Sequence, residues 1–244
     1  MEYLRDEIYD VQLENSDDLF ANSERIMIFG SSNSGKSTFV YKLVKKFHHR
    51  FERIIICGSG NQLLFDQETK SKTTHFEPPA NASGDELLYN PFEELSIYEL
   101  KKISEKNKSV LIIYDDMQEI LYSSSLISRI YSQGRHRNLS IITNFQSFFV
   151  TGQSKSLLPQ IKANASVMIF MRTKSHSEIS AIADRIECSK DDKLFFIALF
   201  KKIILSKKYG YLAVCLDVSD IRLKYQNNFF GEDSTDFRSV YIKS

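Results

Sequence analysis

Cysteine is scarce in this sequence: Cys57, Cys188 and Cys215 are the only three in 244 residues, far apart and odd in number. Their spacing suits no zinc site, and they offer no even set for a disulfide framework. They read as idle thiols of a reducing compartment. Long apolar runs are missing too. The best candidate, Leu194–Leu205, is broken by Lys201-Lys202 and falls short of the roughly 18 residues of a membrane helix. The opening Met1-Glu2-Tyr3-Leu4-Arg5-Asp6-Glu7 is charged and acidic, which does not read as a secretory leader. These absences lead us to expect an intracellular protein, in a cytosol or a nucleus, with no membrane partner. On that reading Asn-X-Ser sequons, among them those at Asn81, Asn138 and Asn164, are chance occurrences. An excess of one charge is also absent. Lys and Arg number 32, Asp and Glu 31, and the net charge is +1. No global field attracts nucleic acid, so any such contact needs a local basic patch. No internal repeat and no low-complexity segment is visible.

What is present is an ordinary globular composition, 42% hydrophobic and 26% charged, in a chain long enough for one large α/β domain. Apolar strand-like runs occur at Glu24–Phe29, Arg53–Cys57, Val110–Tyr114, Ser140–Thr143, Val167–Phe170 and Tyr211–Val218. Helical periodicity marks Thr38–His49, Pro91–Glu105, His176–Ile186 and Asp191–Ile204. Phe76–Pro91 holds three of the four prolines and reads as a loop. Strands alternating with helices predict a three-layer α/β sandwich around a mainly parallel central sheet. Its expected extent is residues 24–218, with terminal extensions at 1–23 and 219–244.

The first strand runs into Gly30-Ser31-Ser32-Asn33-Ser34-Gly35-Lys36-Ser37, followed by Thr38. The spacing Gly-x-x-x-x-Gly-Lys-Ser is the Walker A pattern of a phosphate-binding loop. Two glycines let the backbone curl so that successive N–H groups face phosphate oxygens. The helix that follows adds its positive end. Lys36 is expected to reach the β- and γ-phosphates, and Ser37 to ligate Mg²⁺ through its hydroxyl. ATP and Mg²⁺ are therefore the expected substrate and cofactor.

Leu111-Ile112-Ile113-Tyr114-Asp115-Asp116 is an apolar strand ending in two acids, as a Walker B segment does. Asp115 is the expected holder of the Mg²⁺ shell. Asp116 is the expected residue to orient or deprotonate the attacking water, with Glu119 as a fallback. Further on, Gly134-Arg135-His136-Arg137-Asn138 precedes the strand Leu139–Thr143, which exits into Asn144-Phe145-Gln146-Ser147. A polar residue at that strand tip can sense the γ-phosphate: Gln146 is the first choice and Asn144 the second. An arginine can neutralise transition-state charge, a contribution on the order of 10³–10⁵ in rate. Arg135 is the first choice for it, and Arg137 the alternative. His136 reads as structural. The stretches Lys42 to Arg50 and Lys201 to Lys208 are basic and suit sequence-independent phosphate contacts, or simply a solvated face.

Together, Gly30–Ser37, Tyr114-Asp115-Asp116-Met117, Gly134-Arg135-His136, Leu139-Ser140-Ile141-Ile142 and Gln146-Ser147 resemble the genome-packaging ATPases of poxviruses, other large DNA viruses and Maverick/Polinton elements, within the HerA/FtsK branch of P-loop ATPases. Ala163-Asn164-Ala165, Ile169 to Thr173 and the strand Tyr211–Asp217 extend the likeness, which spans roughly Ile26 to Asp217. The resemblance implies an additional-strand, RecA/FtsK-like P-loop fold. It also implies a homo-oligomeric ring on a capsid vertex that threads double-stranded DNA into a preformed capsid. Capsid or portal proteins would be its partners, at the site of virion assembly in the host cytoplasm or nucleus. In that branch the arginine before the fourth strand acts in trans and a glutamine ends the strand, which implies those roles for Arg135 and Gln146. Other P-loop DNA translocases and a small-molecule kinase are the competing readings. A kinase usually carries an Arg-rich lid, and none is evident here. The Asn-Lys-x-Asp reader of a GTPase is missing as well.

Overall fold

The computed structural model describes residues 8–14, 23–58, 67–76, 109–115, 125–149, 158–173, 176–204, 207, 209–218, 224–227 and 237–243. In chain order its first elements are β1 (Ile8–Glu14), β2 (Arg25–Phe29), α1 (Lys36–Phe47), β3 (Arg53–Gly58), α2 (Gln67–Lys72) and β4 (Thr73–Phe76). Next come β5 (Val110–Asp115), α3 (Ser125–Gln133) and β6 (Leu139–Phe145), with a short 3-10 turn, Gly134–Arg137, just before β6. The remainder is α4 (Leu158–Ala163), β7 (Val167–Phe170), α5 (His176–Ile186), α6 (Lys190–Ile204), β8 (Leu212–Cys215), β9 (Tyr225–Asn227) and β10 (Phe237–Lys243).

The strands form one sheet in the order β1-β10-β9-β8-β7-β2-β6-β5-β3-β4. From β7 to β4 every neighbouring pair is parallel. From β7 to β1 every pair is antiparallel. The expected mainly parallel sheet is therefore present, and β6 is the additional strand between β2, which leads into the phosphate loop, and β5, which carries the acid. Segments assigned above to terminal extensions lie in this same sheet: β1 pairs with β10 along its full length, and β9 joins β10 to β8. The helix expected at Pro91–Glu105 lies outside the described residues, as does most of the loop Phe76–Pro91.

Strand alternation builds two cores. On one face Ile26, Ile28, Ile54, Ile56, Leu111 and Ile113 meet Phe39, Val40, Leu43, Val44 and Phe47 of α1. A helix of this length is marginal alone in water. Each of those side chains contributes about 1.5–3 kcal/mol on burial, so α1 is held by the sheet. Lys45 and Lys46 in its last turn suit the negative end of its dipole. On the other face Met27, Phe29, Ile112, Tyr114, Phe145 and Phe170 meet Ile127, Tyr131, Ile161, Ile182, Phe196 and Leu199 from α3 to α6. The result is three layers.

The registers Phe29↔Phe145 and Phe29↔Phe170 stack three rings across neighbouring strands, with centroids 5.3 and 5.5 Å apart. They form an aromatic floor where β2 enters the phosphate loop. The buried Tyr131 hydroxyl donates to the Ile26 carbonyl at 3.1 Å and meets Thr143 Oγ1 at 2.7 Å, tying α3 to the two central strands. Among the described residues no helix is long and apolar enough to cross a membrane.

Candidate functional site

β2, β5, β6 and β7 run parallel, so their carboxyl ends meet at one edge, where ligands of open α/β sheets bind. The loop after β2 is clamped there on both sides. Gly30 N–H donates to the Phe145 carbonyl of β6 at 3.1 Å, and Ser31 N–H donates to the Arg172 carbonyl after β7 at 3.0 Å. Within the loop, Ser34 N–H donates to the Ser31 carbonyl at 3.2 Å. Gly35 then takes φ +94°, a left-handed conformation that glycine adopts without the Cβ penalty. From it the chain enters α1, whose first i to i−4 bond is Phe39 N–H to the Gly35 carbonyl. The opening N–H groups of such a helix have no helical acceptor and point at whatever sits over the loop.

Lys36 folds back over the loop. Its Nζ donates to the carbonyls of Gly30 at 2.8 Å and Ser31 at 3.1 Å. Ser37 Oγ donates to Asp115 Oδ1 at 3.2 Å, joining two segments 78 residues apart. Asp115 itself is buried at the tip of β5. Asn144, on the neighbouring β6, donates through Nδ2 to the same Oδ1 at 2.5 Å. The other polar atom of Asn144, Oδ1, is buried and without a partner among the described residues. Ser37, Asp115 and Asn144 thus converge on one point, while the Lys36 ammonium lies over the loop that leads to it.

The remaining expected residues fall in three places. Gln146 is exposed, one residue past the end of β6. Of the two polar candidates at that tip, Asn144 is the one in contact with Asp115. Asp116 and Glu119 lie outside the described residues. Arg135 is exposed on the turn before β6 and donates from Nε to His136 Nε2 at 3.3 Å. That turn sits at the amino end of a strand whose carboxyl end carries Asn144. At ~3.3 Å per residue, about 20 Å separates it from the loop within one subunit. The side chain of Arg137 is outside the described residues.

A cavity of about 640 Å³ opens beside the loop, lined by Asn33, the segment Gly35–Phe39, Lys42, Met171, Tyr209 and Tyr211. The two tyrosines came with no signal in the sequence, because only the fold brings the segment before β8 against α1. Burial pushes the Cys57 thiol up, so it is no nucleophile. Among the described residues no three His, Cys, Asp or Glu side chains cluster as a metal-binding group.

A protein-family model described as Poxvirus A32 protein matches residues 12–214. No curated protein matches the chain by sequence. Among solved structures, the genome packaging NTPase of Sulfolobus turreted icosahedral virus 2 in complex with ATP-gammaS superposes with a TM-score of 0.53 at 17% identity, covering 80% of this chain and 93% of that one. Its complex with AMP gives 0.53 at 19% identity over the same shares. At such identities the likeness is one of fold: this sheet is that of a P-loop NTPase.

Proposed function

The chain belongs to the Poxvirus A32 protein family, and from that premise we propose that it is the ATPase that drives packaging of a viral genome. The observation that carries the proposal is the contact of Ser37 Oγ with Asp115 Oδ1 at 3.2 Å. It brings the phosphate loop and the acid strand to one point, as a triphosphate with its metal requires.

The loop Gly30–Ser37 and Thr38 cradle the triphosphate with backbone N–H groups. Lys36 now holds two loop carbonyls, and it exchanges these neutral acceptors for charged β- and γ-phosphate oxygens, which make stronger partners. Ser37 and Asp115 fit Mg²⁺: both offer oxygen, and this ion typically takes one or two carboxylates and completes its shell with phosphates and water. When bound, Mg²⁺ would supply charge neutralisation at the phosphate oxygens. Asn144 holds the Asp115 carboxylate in place and keeps its free Oδ1 beside the reacting end, while Gln146 is the other sensor candidate. Asp116 orients or deprotonates the attacking water. Arg135 is too far from its own subunit's loop and serves a neighbour's site, which calls for a homo-oligomeric ring. The ring threads double-stranded DNA without reading its sequence, on a capsid vertex and in contact with capsid or portal proteins. It works where virions assemble, in the host cytoplasm or nucleus.

The test is the ATPase rate of wild type and Lys36→Ala, with and without linear double-stranded DNA. The expected result is DNA stimulation of the wild type and loss of activity in the variant. Phosphoryl transfer to a nucleoside or sugar, indifferent to DNA, would replace the motor with a small-molecule kinase.

A further inference from the structure

The cavity beside the phosphate loop has a mixed lining: Asn33, Lys36, Ser37, Thr38 and Lys42 are polar, and Phe39, Met171, Tyr209 and Tyr211 are apolar or aromatic. Phosphates use the polar groups. Its size falls in the range of about 300–1,000 Å³ usual for small-molecule sites, which leaves the aromatic side chains for another part of the ligand.

Tyr211 is buried and packs edge-on against Phe39 of α1, with centroids 4.6 Å apart and planes at 68°. It is part of the wall. Tyr209 differs: it is 56% exposed, on the rim. Its ring lies so close to the loop that a Cβ at Gly35 would come within 3.1 Å of Cδ1. Beside it Gly210 N–H donates to the Lys207 carbonyl at 3.3 Å. A Cβ at Gly210 would stand 2.5 Å from the Ile203 carbonyl oxygen at the end of α6, so only glycine permits that approach. An exposed aromatic ring held at a fixed place next to a phosphate cradle is a surface for a flat, apolar face.

We propose that Tyr209 is the stacking platform for the base of the bound nucleotide, seating it between its ring and the first two turns of α1 at Thr38 and Lys42. This rests on the phosphate-loop reading above and adds the part of the substrate that the loop does not touch. A π-face is common to every base, so the platform holds ATP and GTP alike and provides affinity rather than base identity.

The experiment is a calorimetric titration of the full chain, in Mg²⁺, with ATP, GTP and inorganic tripolyphosphate, for wild type, Tyr209→Ala and Tyr209→Phe. The expected result is that Tyr209→Ala binds ATP and GTP about 5- to 150-fold more weakly, leaves tripolyphosphate unchanged, and that Tyr209→Phe restores nucleotide binding. Equal binding of ATP by wild type and Tyr209→Ala would overturn the platform. So would a parallel loss of tripolyphosphate, which would make the ring only a brace for the loop at Gly35. Wild type that binds neither ATP nor tripolyphosphate would overturn the phosphate-loop reading, and the platform with it. Wild type that binds both equally well would overturn the platform alone.

Discussion

Asn144→Leu separates the structural worth of Asn144 from its service to Asp115. Leucine keeps the branching and the number of heavy atoms, with bulkier methyl groups, but deletes both polar atoms. The variant loses the bond from Nδ2 to the Asp115 carboxylate, and a hydrogen bond to a charged group contributes about 1.5–3 kcal/mol. It also removes the Oδ1 that is buried without a partner among the described residues, and a polar atom so placed costs about 1–3 kcal/mol. The two effects oppose each other at similar size, so stability should stay within about 2 kcal/mol of wild type. Function has no such compensation. Asp115 keeps the Ser37 hydroxyl but loses the amide that orients its carboxylate, and deleting such a supporting contact typically costs about 10- to 100-fold in metal affinity or activity. The chain has no tryptophan, so urea unfolding is followed by circular dichroism. The ATPase rate is measured as a function of Mg²⁺ concentration. Near-normal stability with a Mg²⁺ requirement shifted upward is the expected pair of results. A loss above about 3 kcal/mol with unchanged Mg²⁺ dependence would show that Asn144 is a structural tie between β5 and β6 and nothing more.

Two other expectations follow from the geometry. Because Arg135 stands at the far end of β6 from its own loop, Arg135→Ala and Asp116→Ala subunits should each be nearly inactive alone, the former by about 10³ or more, yet recover measurable hydrolysis when mixed; no recovery would remove Arg135 from the trans role. Lys162 donates to the Phe148 carbonyl at 2.5 Å and lies 3.4 Å from the centroid of its ring, and burial, helped by Arg185, lowers its pKa from 10.5 to about 8. Below pH 8 the lysine is charged in folded and unfolded chains alike and the burial penalty is fully present. Between pH 8 and 10.5 the unfolded chain binds more protons there, so stability rises with pH. The stability of wild type minus that of Lys162→Met should therefore increase across that window in paired thermal melts, and a flat difference would contradict the assigned cause.

What could be read along the chain was local. The spacing Gly30 to Ser37, the apolar run ending at Asp115 and the alternation of strands with helices each depend on neighbours in sequence, and they were enough for the P-loop fold, the mainly parallel sheet and the family. The strands β1, β9 and β10 escaped notice because they pair across the whole length of the chain, Ile8 with Lys243 for instance, and long-range register leaves no periodic mark in a short polar-apolar segment. The tip of β6 shows the same division. Asn144 and Gln146 both had suitable chemistry, but which of them touches Asp115 depends on how β5 and β6 align, and that alignment put Asn144 there. Tyr209 is the extreme case: its place beside Gly35 comes from α6 ending where Gly210 can turn the chain back over the loop. Residue types and their spacing carry the chemistry of a site, but the distances between its distant parts come from strand register and helix packing, and those are settled only when the whole sheet closes.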